Sequence, residues 1–293
     1  MKKLSLILLL ILALTASSAL ADVTLVDPYA DYPAEAAMSD YLAGQLENAL
    51  GQKVQVKRFS DIAEAVNAFL ALPDPDEALL LCCQDALILS LQGYIDQDLR
   101  VALRPLTQAA ASGSDFYAAP AVLEALPEIT AESLLAYTEE NAYELFIARL
   151  IEASHNDYLV LEATAELYVD QNLYMDYGEA AEDAENGAPD IAVFSAAMLP
   201  KEAAGYKRLF SANLPGIGQG VFAQAGASDA FSLAVWQAVK AACEESAWQA
   251  LLAQGGYNGA PCPEEAEFAK QVKDLFADYV RYLTSEGLFF YEQ

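Results

Sequence analysis

The single histidine of this chain, His155, directly follows Ser154. Neighbours in sequence project in diverging directions, so the two side chains cannot form a serine–histidine catalytic pair. No Gly-x-Ser-x-Gly elbow is present. One histidine is too few for a histidine-based zinc site, and the four cysteines show no Cys-x-x-Cys spacing. Carboxylates number 43, so a pair such as Glu162 and Glu166 reads first as a solvated helix face. Glycoside hydrolysis would need one of them in an apolar pocket. These residues therefore name no catalytic residue, cofactor or metal, and an enzyme is the weakest of the readings.

The cysteines carry a different chemistry. Cys243 and Cys262 lie at the end of a helical stretch and in the loop that follows it, close enough in sequence to pair as a disulfide. Adjacent Cys82 and Cys83 end an apolar strand and cannot pair without strain. The expectation for them is one buried thiol and one packed or reactive thiol.

The N-terminus sets the compartment. Lys2 and Lys3 precede an apolar run, Leu4–Leu14, and Ala19-Leu20-Ala21 fits the small-x-small rule for signal-peptidase cleavage. Residues 1–21 thus read as a signal peptide, with Asp22 the mature N-terminus and a periplasmic or secreted product. No cysteine stands at the cleavage point to take a lipid. Loss of Lys2 and Lys3, with no acid lost, takes the formal charge from −28 to −30. Such a surface repels nucleic acid and anionic membranes and favours solubility. A monomer is expected.

The elements that would position a site follow from periodicity. Val23–Val26, Val54–Val56 and Ala78–Cys83 read as strands, and Ala34–Leu50 and Ile62–Leu72 as helices, the first closed by Gly51. This alternation predicts an α/β fold with mostly parallel sheets and helices on both faces. Leu99–Gln108 reads as a strand region and Ala163–Asp170 as helical, and Leu173–Met175 and Ile191–Phe194 as strands. Helices are expected over 230–253, with a break near Glu244, and over 263–285.

Several motifs resemble the extracytoplasmic solute receptors of tripartite tricarboxylate transporters, the TctC or Bug family. Pro28-Tyr29-Ala30 is similar to that family's Pro-Phe/Tyr-Ala after the first strand, and Leu50-Gly51-Gln52-Lys53-Val54 to its Leu-Gly-Gln-x-Val. Pro75–Leu80, Gly187-Ala188-Pro189-Asp190, Gly220–Gly226 and Pro263-Glu264-Glu265 extend the likeness over nearly the whole mature chain.

The resemblance implies a two-lobed, Venus-flytrap binding protein of type II that captures a small molecule between its lobes. Lobe one would comprise 22–108 and 226–293, and lobe two 109–225, with hinges near 103–117 and 220–226. The partners implied are membrane transporter subunits or, for a sensory or orphan receptor, a membrane sensor kinase. Carried onto this sequence, the ligand residues are Tyr29, Ala30, Asp31, Tyr32, Cys83, Gln84, Ser154, His155, Tyr174 and Asp190.

The departures fall at those same loops. Relatives carry glycines where this chain has Asp31, Tyr32 and Pro33, and Asp176 and Tyr177 replace glycines after Tyr174. Pro33 offers no N–H and Asp31 would repel a carboxylate. The family's usual ligand is a carboxylate, whereas these substitutions suit a cationic or amphoteric one, with tyrosine faces available to a cation.

Overall fold

A computed structural model describes residues 22–111 and 217–292, apart from 256, 258, 286 and 288, together with the backbone of five strands between them. The first sheet begins with β1 (Val23–Asp27), helix α1 (Pro33–Leu50), β2 (Val54–Arg58), α2 (Ile62–Leu70) and β3 (Ala78–Cys82). Next come α3 (Gln84–Leu91), the single turn α4 (Leu99–Ala102) and β4 (Leu103–Ala110). The chain then builds a second sheet from β5 (Ser114–Ala118), β6 (Tyr158–Ala163), β7 (Val169–Tyr174), β8 (Asp190–Ser195) and β9 (Lys207–Ala212). It returns to the first sheet as β10 (Gln219–Gln224) and ends in α5 (Asp229–Cys243), α6 (Ser246–Gln254) and α7 (Glu265–Ser285).

The first sheet has the order β2-β1-β3-β10-β4. β1 pairs in parallel with β2 and β3, because helices cross over between them. β10 runs antiparallel to both β3 and β4. This sheet alternates cleanly between two apolar layers. Leu25, Leu79, Leu81, Val221 and Ala223 pack with α1, α5 and α6 on one face. Val26, Leu80, Cys82 and Phe222 pack with α2, α3 and α7 on the other. Both faces are covered, which explains why β3 reads as an unbroken apolar run. Burying each such leucine contributes roughly 1.5–3 kcal/mol.

Local signals position α1. Proline occupies its first turn and Gly51 ends it at φ 65°, a left-handed cap that glycine adopts without a Cβ penalty. The proline also places Glu35 in the first turn, where it is buried.

The second sheet has the order β7-β6-β8-β5-β9, and every neighbouring pair is antiparallel. This corrects the expectation of mostly parallel sheets for that part of the chain. The connection from Ala163 to Val169 is too short for a parallel crossover, which needs a dozen residues or more, and suits a hairpin. The helix expected over 163–170 is likewise replaced, since Ala163 ends β6 and Val169 and Asp170 open β7.

Gln219–Gln224 is a strand of the first sheet, so the chain re-enters that unit before Gln219. The two segments expected as hinges contribute adjacent strands, since β4 and β10 pair along their length with two register shifts. α3 lies where no helix was predicted. Its run Ala86–Ser90 is buried almost all round, so it carries little 3.6-residue amphipathic signal. No helix among the described residues is long and apolar enough to cross a membrane.

Candidate functional site

The parallel strands β1 and β3 end side by side, and β10, antiparallel to β3, starts at the same edge. Open α/β sheets offer their ligand crevice outside the carboxyl ends of their strands. Four of the buried polar side chains lie there: Asp27, Glu35, Asp85 and Gln219.

Tyr29 is the hub of the loop after β1. Its ring is buried, its hydroxyl donates to the Cys83 sulfur at 2.7 Å, and it accepts the Cys83 backbone N–H at 2.9 Å. This clasp ties the loop after β1 to the loop after β3. Burial pushes the Tyr29 phenol and the Cys83 thiol well above their ordinary ranges. Cys82 is also buried and its thiol is raised for the same reason. Both adjacent thiols are therefore packed, which resolves the alternative of a packed or reactive second thiol in favour of the packed one.

Asp27 anchors the same loop from below. It is fully buried, accepts the Tyr29 N–H at 2.9 Å and the Ser39 hydroxyl at 2.6 Å, and lies 3.4 Å from Arg58 Nε. Burial raises its carboxyl above the usual range, against the lowering effect of these partners. Arg58 continues to Asp40 at 2.6 Å.

A second polar chain runs beside the first. Gln219 Nε2 donates to the Tyr257 hydroxyl at 3.0 Å, and that hydroxyl donates to Glu35 Oε1 at 2.9 Å. Glu35 Oε2 and Gln219 Oε1 are buried acceptors with no hydrogen-bond partner among the described residues. Burial raises the Glu35 carboxyl and holds the Tyr257 phenol well above its ordinary range. Gln84, in the first turn of α3, accepts the Ile217 N–H at 2.9 Å and so ties the entry into β10 to this edge.

Of the residues expected to hold ligand, Tyr29, Ala30, Asp31, Tyr32, Cys83 and Gln84 share this edge. Ala30 and Asp31 are exposed, and Tyr32 is half-buried with its ring edge-on to Tyr29 at 6.2 Å. Ser154 and His155 lie outside the described residues. Tyr174 and Asp190 are described by backbone alone, and the register separates them. Tyr174 pairs with Tyr158 at the start of β6, while Asp190 pairs with Glu162 four residues along it. At ~3.3 Å per residue these positions stand ~13 Å apart along the strand. The β6–β7 hairpin carries Tyr174 back to the start of β6, and Asp190 lies toward its end.

Sequence reasoning passed over Asp27, Glu35, Gln219 and Tyr257. Asp27 had a signal, as a charge closing the apolar run Val23–Val26. Glu35, Gln219 and Tyr257 come from three distant segments, and only the β3–β10 pairing and the return of the chain after α6 assemble them. Among the described residues no group of three His, Cys, Asp or Glu side chains could hold a metal ion.

No family model matches the sequence, and no curated protein matches it. Solved structures do share the fold. A TctC solute-binding protein from Polaromonas superposes with a TM-score of 0.61 at 14% identity, over 90% of this chain and 98% of that one. The periplasmic binding protein BugD gives 0.58 at 15% identity, over 92% and 98%. MatC from Rhodopseudomonas palustris, solved with bound malate, gives 0.57 at 15% identity, over 89% and 98%. The chain therefore has the α/β fold of the type II periplasmic binding proteins.

Proposed function

We propose that this protein is an extracytoplasmic solute receptor of the TctC/Bug kind, a binding protein rather than an enzyme. The observation that carries the reading is the polar edge of the first sheet, where two loops are clasped by Tyr29 and Cys83 around buried acceptors. Such an edge lies where this type of fold receives a ligand. Support comes from the fold shared with periplasmic binding proteins and from the signal-peptide pattern of residues 1–21. The exported product would be periplasmic and would deliver its ligand to the membrane subunits of a tripartite tricarboxylate-type transporter. Tyr29, Ala30, Asp31, Tyr32, Cys83 and Gln84 would form the lobe-one half of the ligand site.

The ligand differs from a simple dicarboxylate. Asp31 is exposed at the loop, and Glu35 and Asp85 are buried behind it. Carboxylates at this edge disfavour an anion and suit a ligand with an amine or ammonium group, cationic or amphoteric. The orphan acceptors Glu35 Oε2 and Gln219 Oε1 call for hydrogen-bond donors, which a bound ammonium or an ordered water supplies.

Titration calorimetry against dicarboxylates, tricarboxylates, amino acids and polyamines tests the proposal. Saturable binding of an amine-bearing solute is expected. Tight binding of succinate or citrate alone would overturn the ligand class and leave the receptor reading in place.

A further inference from the structure

Cys243 and Cys262 both lie against one strand of the first sheet, β4. Cys243, the last residue of α5, is buried with its sulfur 3.7 Å from the Ala109 carbonyl. Cys262 is half-buried, and its backbone N–H donates to the carbonyl of Gln108, the neighbouring residue of β4, at 3.0 Å. Cys262 packs against the apolar cluster that contains Cys243, so both cysteines lie beside the same two residues of β4. Cys262 is the one non-glycine residue with positive φ among those described, at 42°. A side chain other than glycine enters that region at a cost, which the surrounding structure must impose. Here the backbone contact to Gln108 and the packing against Cys243 hold it.

The segment between the two cysteines serves the candidate site. It contains α6, whose Trp248 is fully buried and donates its indole N–H to the Ala109 carbonyl at 3.1 Å. It also contains Tyr257, the hydroxyl that links Gln219 to Glu35.

We infer that Cys243 and Cys262 close a disulfide that joins the two ends of the segment carrying Trp248 and Tyr257 where both lie against β4. Cys262, the more accessible sulfur, is the attacking thiolate. It displaces one thiol from an external disulfide, of a dithiol oxidase or of glutathione, and forms a mixed disulfide. Cys243 then loses its proton and attacks the Cys262 sulfur, expelling the second external thiol. Two protein thiols and one external disulfide thus yield one protein disulfide and two external thiols, with no further oxidant. The neighbouring Cys243 thiol holds the Cys262 thiol below its ordinary range, while the same contact and burial push Cys243 up. Cys82, at the end of β3, and Cys83, in the loop after it, are buried and have no part in the exchange. The inference rests on the extracytoplasmic reading only for the source of its oxidant.

The test equilibrates purified reduced protein with oxidised and reduced glutathione, then alkylates under denaturing conditions and maps the peptides. Two of the four cysteines, Cys82 and Cys83, should be alkylated, with a cross-linked peptide joining Cys243 to Cys262. The oxidised form should melt about 5–10 °C above the reduced form, as expected for closing a loop of this size in a chain of this length. C243S should trap glutathione on Cys262, and C262S should trap none on Cys243. Four alkylated cysteines at oxidising poise, or a link through Cys82 or Cys83, would overturn the inference. Cell fractionation tests location separately. A cytoplasmic protein whose pair still closes in vitro would overturn the export reading and uphold the pair.

Discussion

The Tyr29 hydroxyl both donates to the Cys83 sulfur and accepts the Cys83 backbone N–H, so one oxygen joins the loops that follow β1 and β3. The loops at the edge of the first sheet are fixed relative to each other by this contact. Removing it leaves a buried N–H without a partner, a cost larger than that of the bond itself.

Tyr29→Phe keeps the ring and removes that oxygen. Urea unfolding should show a loss of about 1–2 kcal/mol, the range for leaving one buried donor unsatisfied. A variant as stable as the parent would show that the clasp is made good by another group.

Asp27→Ala removes the acceptor beneath the same loop. Tyr29 N–H and Ser39 Oγ lose a partner, and Arg58 loses its buried counter-charge. Denaturant unfolding should report a loss of about 2–4 kcal/mol. Arg58 is partly exposed and retains Asp40, which keeps the loss at the lower end of that range.

Glu35 predicts a pH dependence. Its carboxyl is raised by burial, so the folded state binds its proton more tightly than the unfolded state does. Between the ordinary glutamate value and the raised one, the folded protein holds more protons. Stability therefore falls as pH rises through that window and recovers as pH is lowered through it. Asp27, also raised, adds to the same slope. Glu35→Gln should flatten the slope in thermal melts and should not destabilise the protein near neutral pH. A variant with the parent's slope would exclude Glu35 as its source.

The first sheet was legible because its signals are local. The apolar runs of β1 and β3, the periodicity of α1 and the glycine at its end each occupy one short window. The Tyr29 loop and the turn at Cys83 and Gln84 were legible through motif resemblance. The polar chain of Gln219, Tyr257 and Glu35 was not, because its members meet only through strand pairing and the return of the chain after α6. The antiparallel second sheet was missed for a related reason. Val169–Tyr174 alternates too weakly to separate a strand from a helix by period alone.

Native mass spectrometry of protein recovered from the periplasm after expression with its own leader tests the receptor account most directly. The account predicts a chain beginning at Asp22 that carries one small molecule, released on denaturation and rebound in a one-to-one, saturable titration. A folded protein recovered without ligand from that compartment, and inert in calorimetry to carboxylates, amino acids and polyamines alike, would contradict it.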